Sequence, residues 1–188
     1  KDYVLDDLDQ AGVEVRAAID DTRPTTNKNA VVAGGYRLLK IDTLDNRSIS
    51  QTILDQFTGD ISNGDKDILV FSDFRHGIFN RDTIPPLIAA IPDGIFRVAD
   101  SQVASRWGNI LEYKGFDLIT PNEREARFAL GDQDSVVRPL ATALYDAAGC
   151  KTLMLKLGDR GMLTQHSRMD GTNRFFYVLN SFADTVID

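Results

Sequence analysis

Polar side chains follow three separate apolar runs in this sequence, and each of these positions could contribute to a ligand site. The three polar segments are Ser72-Asp73-Phe74-Arg75-His76-Gly77, Asp100-Ser101-Gln102, and Asn122 with Glu125. If the apolar runs are parallel β-strands, their carboxyl ends meet at one edge of a sheet, where open α/β sheets bind ligands. Each segment taken singly is also typical of a turn or a helix cap. Their joint occurrence is the stronger indication of a site.

The third segment lies within Ile119-Thr120-Pro121-Asn122-Glu123-Arg124-Glu125, which is typical of a strand end that leads into a helix. We predict that Thr120 caps this helix, with Pro121 at its first position and Glu123 completing a capping box. On this assignment Asn122 and Glu125 have no local role, and at i, i+3 they share one face of the first turn. A carboxylate at this edge of the sheet then requires an explanation outside the helix.

A fourth polar segment, Lys156-Leu157-Gly158-Asp159-Arg160-Gly161, ends the apolar run that begins at Thr152. Two glycines three residues apart permit a tight turn whose backbone N–H groups could face an anion. An ordinary β-turn between Leu157 and Met162 fits the spacing equally well.

Several established catalytic motifs are absent from the sequence. It contains no G-x-x-x-x-G-K-[ST] loop, no G-x-G-x-x-G after a strand, no G-x-S-x-G and no H-E-x-x-H. With only His76 and His166, a metal site made of histidines is excluded. The single Cys150 cannot form an internal disulfide, so we predict a packed, inert thiol in a reducing compartment.

The elements that must position these segments alternate between helix and strand from residue 48 onward. Helices are predicted over residues 48–61, 81–91, 123–130 and 136–148, and strands over 67–72, 95–99, 115–119 and 152–157. Residues 162–165 and 174–179 are predicted to pair antiparallel. Pro85-Pro86 predicts a kink or a late start of the second helix, and the run Ile68 to Phe71 predicts a strand buried on both faces. The fold class is therefore α/β, with a doubly wound, mainly parallel sheet.

The first 47 residues have a different pattern. A helix is predicted over residues 2–11 and a short strand over 13–15. Two β-prone runs, 25–33 and 36–43, are joined by Gly34-Gly35, which accepts the positive φ angles of a two-residue hairpin turn. Alternating polar residues place this hairpin outside the main sheet as a flap, although an ordinary edge hairpin fits the pattern too.

The composition excludes several classes of protein. A chain of 188 residues, 43% hydrophobic and 26% charged, indicates one globular domain with a small appendage. A net charge of -7 without a Lys/Arg cluster argues against a nucleic-acid partner. No apolar run approaches the roughly 20 residues of a membrane span. We predict a soluble cytoplasmic protein without a membrane partner, and a chain that is truncated at both ends.

The motifs together resemble those of the ribokinase-like (PfkB) sugar kinases. They are, in chain order, Arg23-Pro24-Thr25-Thr26-x-Lys28, Ser72-Asp73-Phe74-x-x-Gly77, Asp100, Thr120-Pro121-Asn122-x-x-Glu125 and Leu157-Gly158-x-x-Gly161. Within that family the chain is most similar to the heptose 7-phosphate kinase domain of ADP-heptose synthase. The resemblance implies a Rossmann-like kinase domain of which residues 1–188 are the central part, with a lid hairpin at about residues 24–43. It implies ATP-dependent phosphoryl transfer to a hydroxyl of a sugar or sugar phosphate.

The resemblance also implies roles for individual residues. ATP would be bound by Asn122, Lys156, Gly158, Asp159 and Gly161, and the substrate by Lys28, Arg37 and Asp73. Glu125 and Asn122 would hold Mg²⁺ through phosphates or water, because a carboxylate beside a polyphosphate requires an intervening cation. Asp188 would lie near a monovalent cation. The base is expected just beyond Asp188, so no catalytic residue is expected in this chain and the piece alone is expected to be inactive.

Three positions depart from the family pattern. Lys156 stands where family members usually have Thr or Ser, Gln102 removes the cation of a D-P-K motif, and Arg75-His76 follow Asp73-Phe74. These departures leave the sugar open and favour, as the alternative, a catalytically silent sugar- or nucleotide-binding regulator. A phosphatase based on Ser72 and Asp73 is a weaker alternative, since the D-x-D spacing is absent. The lid is implied to cover the sugar and to form the contact of a homodimer.

Overall fold

The computed structural model describes residues 2–102, 110–167 and 174–179, which form two separate β-sheets and the helices around them. The helices are α1 (Asp2–Gln10), α2 (Gln51–Ser62), α3 (Ile84–Ala89), α4 (Glu123–Leu130) and α5 (Val137–Ala148), with 3₁₀ turns at Ile110–Tyr113 and Gly158–Arg160. The strands are β1 (Asn27–Ala33), β2 (Tyr36–Thr43), β3 (Ile68–Asp73), β4 (Phe96–Ser101), β5 (Leu118–Ile119), β6 (Thr152–Lys156), β7 (Met162–Ser167) and β8 (Arg174–Leu179).

The main sheet has the order β3-β4-β5-β6-β7-β8. Strands β3 to β6 are parallel to one another. Strand β7 pairs antiparallel with β6, and β8 pairs antiparallel with β7. The predicted α/β fold with a mainly parallel sheet and an antiparallel edge is therefore confirmed. Because four consecutive strands run in the same direction, their carboxyl ends share one edge of the sheet.

The core lies between this sheet and its helices. Ala99, Ile119 and Leu153 on three neighbouring strands are fully buried, as are Leu140 and Leu144 on α5. The predicted burial of β3 on both faces is wrong, because Ile68 is 59% and Val70 is 57% exposed while Phe71 is buried. Strand β3 lies at the end of the described sheet, where the side chains of Ile68 and Val70 stay largely exposed.

The helix starts follow from local chemistry. The Ser50 hydroxyl caps α2 by accepting a hydrogen bond from the backbone nitrogen of Ile53 at 3.4 Å. The prolines occupy the first turn of α3, so the alternative of a late start is confirmed. The predicted strand at residues 13–15 is wrong, since these residues have no regular structure and both Val13 and Val15 are exposed. In the described ranges, no helix combines the length and the apolar character needed to cross a membrane.

Strands β1 and β2 form the predicted hairpin, and it is a sheet of its own. Gly34 and Gly35 adopt φ angles of 57° and 81°, as a two-residue turn with positive φ at both positions requires. Every residue of both strands is exposed. The hairpin therefore stands away from the core, and its function as a lid stays a prediction.

The single cysteine is packed, as predicted. Cys150 is 4% exposed and lies at the junction between α5 and β6. Burial raises the pKa of its thiol to about 11, so the reactive thiolate is a minor species at neutral pH.

Candidate functional site

The carboxyl ends of the parallel strands bring together the polar segments found in the sequence. Asp73 ends β3 and is in register with Ser101 at the end of β4. Lys156 ends β6, and an isolated parallel bridge pairs its backbone with that of Asn122. The backbone nitrogen of Lys156 also donates to the carbonyl oxygen of Pro121 at 2.8 Å. Asn122 and Lys156, two of the residues predicted to bind the nucleotide, are therefore neighbours.

Helix α4 begins differently from the prediction. Its N-cap is Asn122, whose side-chain oxygen accepts a hydrogen bond from the backbone nitrogen of Glu125 at 2.8 Å. Glu125 completes the capping box by accepting from the backbone nitrogen of Asn122 at 2.7 Å. The assignment of the cap to Thr120 and Glu123 was wrong. Asparagine is as good an N-cap as threonine, and the Thr120 hydroxyl instead donates to Asp100 at 2.8 Å.

Glu123 links α4 to the turn after β6. Its carboxylate pairs with Arg127 at 2.7 Å on the same helix and with Arg160 in the turn. The hydrogen bonds from Arg127 and then from Arg160 hold the pKa of Glu123 below its usual value, against the effect of partial burial. Glu123 is therefore an ion-pairing residue between two elements of the candidate site.

The environment of Glu125 restricts how it could act on a metal. Its side chain is 7% exposed, and its second oxygen accepts from the side-chain nitrogen of Asn122 at 2.8 Å. Within the described ranges, no group of three or more His, Cys, Asp or Glu residues is suited to hold a metal ion. Since Mg²⁺ retains several water ligands and binds one or two carboxylates plus phosphates, this carboxylate fits a contact through water or phosphate.

Lys156 forms an ion pair that sequence reasoning missed. Its ammonium nitrogen lies 2.7 Å from Oδ1 of Asp100, the same oxygen that accepts from Thr120. The side chains of Lys156 and Asp100 are 44% and 43% exposed, so the pair faces solvent at the sheet edge. Asp100 was singled out as a strand-end residue, but its pairing across 56 residues of sequence left no local signal.

Several backbone N–H groups of the glycine turn after β6 donate hydrogen bonds within the turn itself. Gly161 donates to the carbonyl oxygen of Gly158 at 3.0 Å, and Leu157 donates to that of Gly161 at 2.9 Å. Gly158 and Gly161 have φ angles of 63° and 84°, so glycine is required at both positions. These contacts favour the ordinary turn over an anion-binding loop. Contact of Gly158, Gly161 and the exposed Asp159 with a nucleotide stays a prediction.

A buried carboxylate lies at the end of β3. Asp73 is 1% exposed, and its Oδ2 accepts from the Tyr113 hydroxyl at 2.8 Å and from the Ser101 hydroxyl at 3.1 Å. Burial raises the pKa of Asp73, and the Arg75 guanidinium at 3.0 Å opposes that effect. Arg75 also pairs with Glu112 at 2.8 Å. The Asp73 carboxylate is thus bonded to Tyr113, Ser101 and Arg75 of the protein itself. Its contact with a substrate stays a prediction.

Arg75 holds the loop after β3 in an unusual conformation. Its φ angle of 68° is the only positive value at a non-glycine residue in the described part of the chain. Such a backbone costs on the order of 1–3 kcal/mol and persists where surrounding contacts fix it. The ion pairs with Asp73 and Glu112 provide those contacts here. Neither Tyr113 nor Glu112 carried a signal in the sequence.

A cavity of about 680 Å³ lies beside this loop. It is bordered by residues 17–21 and 23–26, by Ile53 and Phe57 of α2, and by Arg75 and His76. The three predicted substrate residues lie outside its lining. The Lys28 ammonium lies 5.6 Å from the centre of the Phe74 ring, Arg37 is exposed on the hairpin and Asp73 is buried. Asp188, predicted near a monovalent cation, lies outside the described residues.

The segments that flank the hairpin, residues 20–23 and 47–48, contact the loop after β3. Arg23 donates to the carbonyl oxygen of His76 in that loop at 3.5 Å and to that of Ser48 at 2.6 Å. Gly77 has a φ angle of 84°, and a Cβ atom there would lie 1.9 Å from the carbonyl oxygen of Arg47. Only glycine permits this approach. The base of the hairpin and the cavity loop are thus packed backbone to backbone.

Comparison with known proteins finds relatives in sequence, although no family model matches the chain. The chain is 28% identical over 168 residues to the bifunctional protein HldE of Pelobacter propionicus, a match that covers 85% of this chain and 33% of that protein. It is 28% identical over 182 residues to HldE of Desulfatibacillum aliphaticivorans, covering 90% and 36% of the two chains. The chain thus spans about a third of the length of these relatives.

Solved structures share the fold. Phosphofructokinase-2 from Escherichia coli, in complex with fructose-6-phosphate, has a TM-score of 0.69 and 20% identity, covering 94% of this chain and 58% of that one. Ribokinase from Giardia lamblia has a TM-score of 0.71 and 14% identity, covering 98% and 57%. The resemblance predicted from the motifs is therefore confirmed: the chain has a ribokinase-like fold and is related in sequence to the HldE proteins.

Proposed function

We propose that this protein transfers the γ-phosphoryl group of ATP to a hydroxyl of a sugar or sugar phosphate. The observation that carries the proposal is the meeting of Asn122, Glu125 and Lys156 at the carboxyl edge of a ribokinase-like sheet. A cavity large enough for a sugar lies beside the loop after β3, which starts from the same edge. Heptose phosphates are the first acceptors to consider, because the sequence relatives are HldE proteins.

The nucleotide phosphates are assigned to the edge formed by Asn122 and Lys156. Mg²⁺, when bound, would neutralise the charge that develops on the transferred group. Glu125 is suited to orient that ion through water or phosphate, because its two hydrogen bonds from Asn122 fix its carboxylate. Asp159 and the turn glycines would lie against the nucleotide. A monovalent cation near Asp188 is part of the same proposal.

The acceptor is assigned to the cavity between residues 17–26 and the loop after β3. The exposed hairpin would close over it, bringing Lys28 and Arg37 toward the sugar and excluding water. Exclusion of water favours transfer to a sugar hydroxyl over hydrolysis. Exposed apolar residues on both hairpin strands, including Val32, Tyr36 and Leu38, support the proposal that the hairpin also forms the contact of a homodimer. A cytoplasmic location is proposed with it.

The test is a panel of sugars and sugar phosphates incubated with full-length protein, ATP and Mg²⁺, with release of ADP as the readout. The proposal predicts ADP release that depends on one class of acceptor and on Mg²⁺. The second candidate, a silent regulator, is favoured by Lys156 and Gln102 at positions where the family has other residues. It predicts saturable binding of ATP or a sugar by calorimetry without ADP release above the protein-free control.

A further inference from the structure

We propose that Asp100 is a positioning residue that holds the Lys156 ammonium at the sheet edge, where it binds the phosphate groups of the nucleotide. The inference rests on the proposed function, because it assigns the nucleotide to this edge. It adds Asp100 to the site and gives Lys156 a defined geometry.

The ion pair crosses the end of a strand. Strand β5 lies between β4 and β6 in the sheet, and adjacent strands are about 4.8 Å apart. Asp100 on β4 and Lys156 on β6 therefore reach toward each other over the end of β5. Thr120, the first residue after β5, donates its hydroxyl to the carboxylate oxygen that Lys156 contacts. The pair is thus fixed at three successive strand ends.

The backbone of Lys156 is fixed by the segment that carries the capping box. Its nitrogen donates to the carbonyl oxygen of Pro121 at 2.8 Å, and it bridges to Asn122. The residues that follow Lys156 enter the turn Gly158–Arg160, which Arg160 ties to Glu123 on α4. Both cations at this corner, Lys156 and Arg160, are therefore held by carboxylates from other elements.

A lysine whose ammonium group is already fixed by the protein binds phosphate more tightly than one whose side chain rotates freely. The lysine side chain has many rotamers, and part of their entropy is lost whenever the ammonium is fixed on a ligand. The contact with Asp100 fixes the ammonium before the nucleotide arrives, so binding loses less entropy. An ammonium group has three N–H donors, and the contact with Asp100 requires one of them. The 44% exposed side chain can therefore accept an anion from the solvent side.

The negative charge of Asp100 also suits the ligand. A nucleotide bound with Mg²⁺ presents anionic oxygens and a cation next to each other. A carboxylate and an ammonium 2.7 Å apart present the complementary arrangement of charges. The pair therefore favours the magnesium complex over free ATP, because Asp100 repels phosphate groups that lack the cation.

The chain contains a matched control for this pair. Lys151, directly before β6, pairs with Asp117, directly before β5, at 2.6 Å. This second ion pair joins the starts of β5 and β6 at the opposite edge of the sheet. Substitution of Lys151, whose side chain is 74% exposed, therefore removes a lysine–aspartate ion pair from the same sheet without changing the candidate site.

The experiment measures the dissociation constant of Mg·ATP by calorimetry for full-length wild-type protein, Asp100→Asn, Lys156→Gln, the double variant and Lys151→Gln. We expect each of the two site variants to weaken binding about three- to tenfold, a loss typical of one charge-assisted contact. The double variant should be no weaker than Lys156→Gln, and Lys151→Gln should bind like wild type. The KM for the sugar should stay within about twofold of the wild-type value in every variant, since the acceptor lies elsewhere.

The inference would be overturned if Asp100→Asn bound Mg·ATP as tightly as wild type. It would also be overturned if the double variant had a dissociation constant raised by the product of the two single effects, or if the wild-type protein did not bind Mg·ATP. A melting temperature equal to that of wild type in Asp100→Asn shows that the loss is not a folding defect. If the binding pattern is as expected but no acceptor is phosphorylated, the proposed transfer reaction fails and the positioning role of Asp100 stands.

Discussion

The carboxylate of Glu125 accepts two hydrogen bonds from Asn122, one from the backbone nitrogen at 2.7 Å and one from the side-chain nitrogen at 2.8 Å. The residue proposed to act on the metal is therefore also the residue that fixes the start of α4. A substitution at this position changes two properties of the protein, and a test of its role must separate them.

Replacement of Glu125 by Gln should destabilise the protein by about 1–3 kcal/mol, because one of the two Asn122 donors then faces an NH₂ group. Urea unfolding measures this loss. We also expect a higher Mg²⁺ requirement for ATP turnover in the full-length protein. Arg124→Gln is the control, since it removes an exposed charge from the same helical turn without touching the cap or the ion pairs of Glu123. Unchanged turnover at limiting Mg²⁺ would remove Glu125 from the metal-orienting role.

Gly77→Ala should cost about 3 kcal/mol or more, because the new methyl group would lie 1.9 Å from the carbonyl oxygen of Arg47 and the backbone cannot move freely there. Gly94→Ala is the matched control: its φ angle of 85° is nearly the same, but open space surrounds it. Gly94→Ala should cost only about 1 kcal/mol, the strain of a left-handed backbone. Equal losses in chemical denaturation would show that the close approach at the hairpin base contributes nothing.

Tyr113→Phe should destabilise the protein by about 1–3 kcal/mol, because it leaves the buried Asp73 carboxylate without one of its donors. The exposed Tyr36 on the hairpin provides the control, and Tyr36→Phe should leave the unfolding free energy unchanged. Both free energies come from the same urea titration. A Tyr113→Phe protein as stable as wild type would mean that the hydroxyl does not support Asp73.

The folded state should lose stability as the pH falls below about 6.5, and His76 should contribute to that loss. Burial, and then the positive charge of Lys28, lower the pKa of His76 in the fold, against the opposing effects of Asp42 and Asp73. Between the lowered folded pKa and the unfolded value of about 6.5 the unfolded chain binds more protons, so stability rises with pH through this window and levels off above it.

The measurement is the unfolding free energy of wild type and His76→Gln at several pH values from 5 to 7.5. The variant should show a smaller slope over this range. Identical slopes in the two proteins would contradict the expected role of His76.

The fold could be predicted from the sequence because its signal is periodic and local. The apolar strands β4 and β6, the amphipathic α5 and the Gly34-Gly35 turn each follow from residues next to one another. The prediction was wrong at β3, where exposure depends on what covers the sheet, and at residues 13–15, where a strand needs a partner. Both properties are set by tertiary contacts that a local pattern does not contain.

The candidate site could be predicted only in part for the same reason. Parallel strand ends correctly indicated that Asp100, Asn122 and Lys156 share one edge of the sheet. The capping assignment was wrong because both Thr120 and Asn122 are suitable N-caps, and the choice depends on the contact between Thr120 and Asp100. The Tyr113 hydroxyl, 40 residues from Asp73 in sequence, could not be found without the structure.

The most direct test of the proposed transfer reaction uses ATP labelled at the γ-phosphate with the full-length protein, Mg²⁺ and the acceptor panel. The proposed function predicts that the label appears in a sugar whose mass has increased by one phosphoryl group. Label found only in inorganic phosphate, or retained entirely in ATP with every acceptor, would contradict it.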